Sequence, residues 1–220
     1  MKILAVDTAL GACSAAVLDG DAVRAHALET MERGHAEALA PMVQGVMRAA
    51  NVNFAELERL AVTTGPGTFT GQRVGLAFMR GLRIALKRPL VGITTLQAMA
   101  AAAMDEAGSD FGAVLHDAKR GEVYFGLYSR NATLLLEPVL LPFMDAVSAI
   151  HAHIGEQPLA LAGTAAAAAA EALRGEACLT SIVHPDALWV ARLARQAPEP
   201  SEAPRPLYLR PPDARLPART

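Results

Sequence analysis

Short apolar runs broken by an aspartate and a glycine turn open both halves of the chain. Ile3 to Val6 leads to Asp7-Thr8 and a turn at Gly11, and a second run, Ser14 to Leu18, ends at Asp19-Gly20. This pattern predicts a β-hairpin with a carboxylate at the mouth of its first strand. The same pattern returns in mid-chain. Ala113 to Leu115 runs into His116-Asp117, a turn at Gly121 and an alternating strand from Val123 to Tyr128. In each hairpin the aspartate stands four residues before the turn glycine, Asp7 to Gly11 and Asp117 to Gly121, as an internal duplication would leave it.

Between the hairpins the period changes from two to that of a helix. From His35 to Ala50, the residues His35, Leu39, Met42, Val46 and Ala49 fall on one face, with Glu37, Gln44 and Arg48 opposite. Pro41 either kinks this helix or marks its true start. A strand, Arg59 to Thr63, then enters the loop Gly65-Pro66-Gly67-Thr68-Phe69-Thr70-Gly71, and a helix follows from about Gln72 to Leu86. Leu90 to Ile93 reads as a strand and Thr94 to Met104 as a helix. In the second half, Leu159 to Ala162 reads as a strand ending at Gly163-Thr164, and Ala165 to Leu173 as an alanine-rich helix with little side chain to pack. Another helix starts at Pro185-Asp186, with proline and an acid in its first turn. The tail from Pro198 holds seven of the 14 prolines and is extended, either wrapped on the body or mobile. This alternation predicts a mixed α/β fold in two lobes, residues 1–105 and 106–197, followed by a Pro-rich tail over 198–220.

Composition narrows the classes. A chain of 220 residues, 52% apolar, can bury a sizeable core, and a net charge of −2 gives no global pull toward nucleic acid or membrane. Cys13 and Cys178 form neither a disulfide framework nor a zinc spacing, which favours a reducing cytoplasm. Leu10-Gly11-Ala12-Cys13 looks like a lipoprotein cleavage site, but Asp7 interrupts the apolar stretch well short of the roughly 7–15 residues of a signal sequence. No uninterrupted apolar run approaches the roughly 18 residues of a membrane span, so a soluble, cytoplasmic protein is expected.

The candidate chemistry is sparse. The loop Gly65–Gly71 joins a strand to a helix, a geometry that serves either as a tight structural turn or as an anion cradle, with Gly65, Gly67 and Thr68 as its donors. It is not a Walker loop, because Gln72 stands where a lysine would meet a phosphate. On the helix behind it, Gly71, Val74, Phe78, Gly81, Leu82 and Ala85 share one face, and Arg73, Arg80, Arg83 and Lys87 form a basic strip opposite. Leu76, Met79, Ile84 and Leu86 make the remainder apolar, so more than one side calls for cover: a sheet on one side, and a second helix or a second protein on the other. The basic strip is either a solvated face or a phosphate contact with RNA. Asp7-Thr8 has the place of a magnesium–phosphate group, and Asp117 that of a turn cap. His116 and His184 lie on different elements, His151 and His153 in a poor ligand context, and ordinary surface or capping histidines are expected.

Several of these segments together resemble the TsaB (YeaZ-like) family. They are Ile3 to Thr8, His35 to Val43, the loop and helix from Gly65 to Leu86, Asp117 to Tyr124, and Pro206-Leu207-Tyr208-Leu209-Arg210-Pro211, in the expected order along nearly the whole chain. The resemblance implies a duplicated actin-like ATPase (ASKHA, ribonuclease H-like) fold and a non-catalytic subunit in bacterial synthesis of tRNA threonylcarbamoyladenosine. Its implied partners are the catalytic TsaD-type paralogue, a TsaE-type ATPase and, through the complex, tRNA; when isolated, the chain could pair with a second copy. The implied contact is a helix bundle shared between subunits, here His35, Leu39, Met42, Val43 and Val46 from one helix, and Val74, Phe78, Gly81 and Leu82 from the other.

Departures from the family fold's active members point the same way. Actin-like ATPases carry Asp-x-Gly-Thr where this chain has Asp7-Thr8-Ala9-Leu10, so no cofactor of its own is expected and ATP or ADP only at an interface shared with a partner. The paralogue's metal-binding histidines, four apart on a helix, align with Thr95 and Met99, neither a fit ligand for a hard or borderline divalent ion. The competing readings on the same fold are a metal-dependent glycoprotease-like peptidase and a small-molecule kinase.

Overall fold

The computed structural model describes residues 1–173 and 177–210; the part of the Pro-rich tail from 211 to 220 lies outside the described residues. Strands β1 (Lys2–Asp7), β2 (Ala12–Asp19) and β3 (Ala22–Thr30) form a meander, followed by α1 (His35–Ala49), β4 (Arg59–Thr63), α2 (Phe69–Leu86), β5 (Leu90–Ile93) and α3 (Thr95–Ala107). The order then repeats. Strands β6 (Phe111–Asp117), β7 (Glu122–Ser129) and β8 (Thr133–Pro142) lead to α4 (Phe143–Ile154), β9 (Leu159–Ala162), α5 (Ala166–Leu173), β10 (Ala177–Leu179) and α6 (Ala187–Gln196). Each half builds a five-stranded sheet, β3-β2-β1-β4-β5 and β8-β7-β6-β9-β10, which is one strand order used twice. The fold is a duplicated α/β fold, as the paired Asp–Gly spacings predict.

The central strands carry apolar residues on both faces because both faces are covered. Leu4 and Val6 of β1 join Val17, Leu60 and Val62 beneath α1 and α2, while Ile3 and Ala5 point the other way, onto Val190, Ala191 and Ala194 of α6. In the second sheet Ala113, Leu115, Phe125 and Leu127 face α4 and α5, whereas Val114, Tyr128, Ala160 and Ala162 face α3. The closing helix of each repeat therefore packs on the sheet of the other. Helices α3 and α6 also touch each other between the sheets and join the lobes.

Several elements differ from the patterning. Helix α1 runs through Pro41, which is neither its start nor its end. Helix α2 begins at Phe69, one turn before Gln72, because the Thr68 side chain caps it by accepting from Gly71 N at 3.1 Å. Strands β3, β8 and β10 and helix α4 have no counterpart in the sequence reading. No described helix is long and apolar enough to cross a membrane.

Candidate functional site

The aspartate of the first hairpin is sealed. Asp7 is fully buried; its Oδ1 accepts from Thr63 Oγ1 at 2.5 Å and from Ala9 N at 3.1 Å, and its Oδ2 has no partner. Burial pushes its carboxyl up to about 7, against the opposing pull of those two bonds, because a carboxylate without water is costly. Thr8 is equally enclosed. Its Oγ1 donates to Gly71 O at 2.7 Å and accepts from Gly75 N at 3.0 Å, tying the hairpin to the first turns of α2.

The glycine loop is shaped around this hairpin. Thr68 N donates to Ala9 O at 2.8 Å. A Cβ on Gly67 would lie 2.3 Å from Ala9 O, and one on Gly71 would lie 2.2 Å from Thr8 O, so only glycine permits the approach. The face of the loop toward Asp7 is thus filled by carbonyl oxygens, which repel an anion. Gln72, buried, donates from Nε2 to Gly67 O at 3.0 Å and holds the loop from within.

Between the lobes, Leu10 is buried in the cluster of Leu96, Met99 and Val114, with Tyr124 and Ile182 against it. His35 does not face outward with the helix it begins: its Nε2 meets Leu10 O at 2.9 Å and pins the hairpin turn. His184 packs on Gly11, where a Cβ would come within 2.7 Å of Cε1. The sequence reading kept His116 and His184 apart, but the fold brings them together across the cleft. Burial and then the charge of His184 lower His116 to about 4, and both rings leave Nδ1 buried without a partner. His153 caps its own helix through Ala149 O at 2.9 Å. Asp117, equivalent to Asp7, is exposed and bonded to Lys119, which lowers its carboxyl.

The outer helices split the expected contact set in two. Leu39, Val43 and Val46 of α1 are buried in the first-lobe core, a correction to the contact set that the family resemblance implies. Met42, Val74, Phe78 and Leu82 pack on the edge of that core and stay partly exposed. Gly45 of α1 and Gly81 of α2 lie beside them, each with open space where a Cβ would stand. The basic strip is also divided. Arg73 and Arg80 bond to the tail, at Tyr208 Oη and Pro204 O, while Arg83 and Lys87 are exposed. Thr95 and Met99 are both fully buried on α3.

The sequence profile of the family described as TsaD, tRNA N6-adenosine threonylcarbamoyltransferase, matches residues 29–172. A solved protein described as YeaZ from Pseudomonas aeruginosa superposes with a TM-score of 0.79 at 29% identity, covering 94% of this chain and 99% of that one. A second Pseudomonas aeruginosa structure, described as similar to peptidase YEAZ, gives 0.81 at 30% identity over 95% and 99%. The chain belongs to the TsaB/YeaZ family. The TsaB protein of Escherichia coli is 37% identical over 131 residues, 60% of this chain and 56% of that protein. The chain thus spans little more than half the length of the curated TsaB relatives it matches. A more distant structure, the 2-hydroxyisocaproyl-CoA dehydratase activator of Clostridium difficile, shares the fold at a TM-score of 0.53 and 12% identity.

For a TsaB/YeaZ chain, the signature segments have structural roles. The Asp7-Thr8 strand end and the Gly65–Gly71 loop interlock, and His35 locks the turn between them. Of the two alternatives for the tail, wrapped on the body or mobile, the contacts of residues 204–210 show the first, whereas the meeting of His116 with His184 is encoded by no spacing.

Proposed function

We propose that this chain is the non-catalytic, TsaB-type subunit of the machinery that makes threonylcarbamoyladenosine in tRNA, docking on a TsaD-type catalytic paralogue in the cytoplasm. The observation that carries the reading is the outer face of α1 and α2. Met42, Val74, Phe78 and Leu82 form a partly exposed apolar surface, and Gly45 and Gly81 leave gaps that allow a partner helix to approach closely. Such a contiguous apolar face marks an association site.

The interior supports a subunit without chemistry of its own. Leu10 stands in the interlobe core where an actin-like ATPase carries a phosphate-binding threonine, and Thr95 and Met99 are packed where the paralogue carries histidines. A peptidase or kinase reading would need these positions to present ligands to a cleft. The TsaE-type ATPase and tRNA join through the assembled complex, with ATP or ADP at a shared interface, and a second copy of this chain competes for the same face when the paralogue is absent.

Depletion of the protein, with threonylcarbamoyladenosine measured in total tRNA by mass spectrometry, tests the reading. The modified base falls on depletion; the parent restores it and Phe78→Asp does not. In purified components the charge at Phe78 weakens docking by roughly 10²–10³-fold, since it would be buried unpaired. An unchanged level of the modified base on depletion removes the proposal; full rescue by Phe78→Asp removes the docking face.

A further inference from the structure

After α6 the chain turns back over the first lobe. Arg59, at the start of β4, donates from Nη1 to the carbonyls of Ala194 at 2.6 Å and Ala197 at 2.7 Å. Pro204 then lies on Gly92 of β5, where an added Cβ would come within 2.6 Å of its own, and its carbonyl accepts from Arg80 of α2 at 2.5 Å. Leu207 N donates to Thr64 O at 2.7 Å, just beyond β4. Tyr208 stacks on Phe69 with centroids 5.9 Å apart, and its Oη accepts from Arg73 Nε at 2.9 Å. Arg73 in turn lies 3.4 Å from the Phe69 ring centre.

The next anchor is on the other lobe. Arg210 Nη2 donates to Ala118 O at 2.9 Å and to Glu122 Oε2 at 2.7 Å, and the Arg210 side chain is only 20% exposed. A partly buried, charge-assisted bond of this kind holds better than a surface ion pair. Leu207 and Arg210 are three residues apart, so the backbone between them spans at most about 10 Å. The two points they join lie on different lobes, the loop after β4 on the first and the turn after β6 on the second. Helices α3 and α6, and the Leu10-Gly11 turn against Val114 and His184, connect the lobes elsewhere, and this crossing adds a further link made by the chain itself.

We propose that residues 204–210 are a strap that sets the width of the interlobe cleft, with Tyr208 and Arg210 as its positioning residues. Because Arg73 and Arg80 are its first-lobe anchors, the strap also couples cleft width to the seat of α2. The inference needs no partner protein and stands apart from the proposed function.

The test is a pulsed electron-resonance distance measurement on the full chain, with spin labels at Glu29→Cys in β3 and Glu137→Cys in β8, both exposed, in a Cys178→Ser background. The parent gives one narrow distribution. Arg210→Ala removes the second-lobe anchor of the strap and gives a roughly two-fold broader distribution with added longer distances. Arg210→Lys, which keeps the charge, gives an intermediate width. A tail that merely lies on the surface lowers the melting point of Arg210→Ala without moving the distribution, and an unchanged distribution overturns the proposal. If Arg210→Ala does not fold, Tyr208→Ala decides on the same readout: broadening supports the strap and an unchanged width overturns it.

Discussion

Asp7 and Asp117 end the first strand of their respective repeats, and their carboxyls are displaced in opposite directions. Asp7 has no exposed surface and is pushed up to about 7 by burial; Asp117 is exposed and is lowered by its bonds to Lys119. The strand order around them is the same. What differs is the loop that arrives after the fourth strand of each repeat. In the first lobe the Gly65–Gly71 loop and the start of α2 close over the hairpin, with three glycines at Gly67, Gly71 and Gly75 against Thr8 and Ala9. In the second lobe a single glycine, Gly163, stands where a Cβ would come within 2.3 Å of Leu115 O, and Thr164 Oγ1 accepts from Asp117 N at 2.9 Å, leaving the carboxylate in water. Duplication supplied the frame, and closure of one hairpin turned an acid at a cleft mouth into a buried core residue.

The largest effect is expected where that closure is tightest. Gly71→Val would place a branched side chain 2.2 Å from Thr8 O and 2.6 Å from Thr68 Oγ1, atoms that belong to a hairpin and a helix cap and have nowhere to retreat. Overpacking against fixed backbone costs about 3 kcal/mol or more, enough to consume much of the stability of a domain of this kind. Expression as an unfolded or aggregated chain, read by circular dichroism and gel filtration, is the expected outcome; a native, cooperatively melting variant would show that the loop can yield.

The glycines were readable in the sequence, but their purpose was not. Spacing alone leaves a tight turn and an anion cradle open, because both need backbone freed of Cβ atoms; what faces the backbone is a tertiary fact. Helix α1 was similarly half-legible. Its period was correct, yet an amphipathic wheel cannot say which of two apolar faces meets the sheet, and Leu39, Val43 and Val46 proved to be core. The strands that escaped notice lack the alternation that marks a half-buried strand. Most of β3 is exposed on both faces, and β8 is a nearly continuous apolar edge, Leu134 to Leu141, interrupted by Glu137-Pro138. The duplication was legible because aspartate and turn glycine keep their spacing even where packing has diverged.

The second expected effect separates the two aspartates by pH. A carboxyl held near 7 in the folded chain keeps its proton while the unfolded chain, at the model-peptide value of 3.8, has lost it. Stability is therefore highest in acid and falls as pH rises from about 4 to about 7, by up to about 4 kcal/mol for a gap of this size. Asp7→Asn, which cannot ionise, removes that slope and is the more stable chain at pH 8. Asp117→Asn acts in the other direction and more weakly. The lowered carboxyl of Asp117 contributes above pH 3.8 and loses its contribution as pH falls below that, and its exposure limits the effect to less than about 1 kcal/mol. Urea midpoints across pH 2 to 8 for the two variants give this comparison directly, Asp117→Asn departing from the parent slope only below about pH 4 and Asp7→Asn only above it; parallel curves for parent and Asp7→Asn would mean that Asp7 is ionised in the folded chain.

The smallest effect on stability is the most informative about the outer helices. Gly81 sits in the interior of α2, exposed, with nothing near a Cβ, and a glycine there costs roughly 0.5–1 kcal/mol relative to alanine. Gly81→Ala should therefore raise the unfolding free energy by about that much, whatever the helix is for. If the face exists only to be solvated, nothing else changes. If it receives a partner helix, the added methyl group stands at the closest approach, and the more stable chain associates less well. Ala168→Gly on the exposed side of α5 is the mirror control: it should lose a similar amount of stability and leave association untouched, because the second lobe's outer helices offer no such gap. Opposite signs for stability and association at Gly81, measured by urea melts and by sedimentation or titration against the TsaD-type partner, would assign the glycine to docking. A gain in stability with association unchanged would return the glycine to the helix alone, since the added methyl group would then meet no partner.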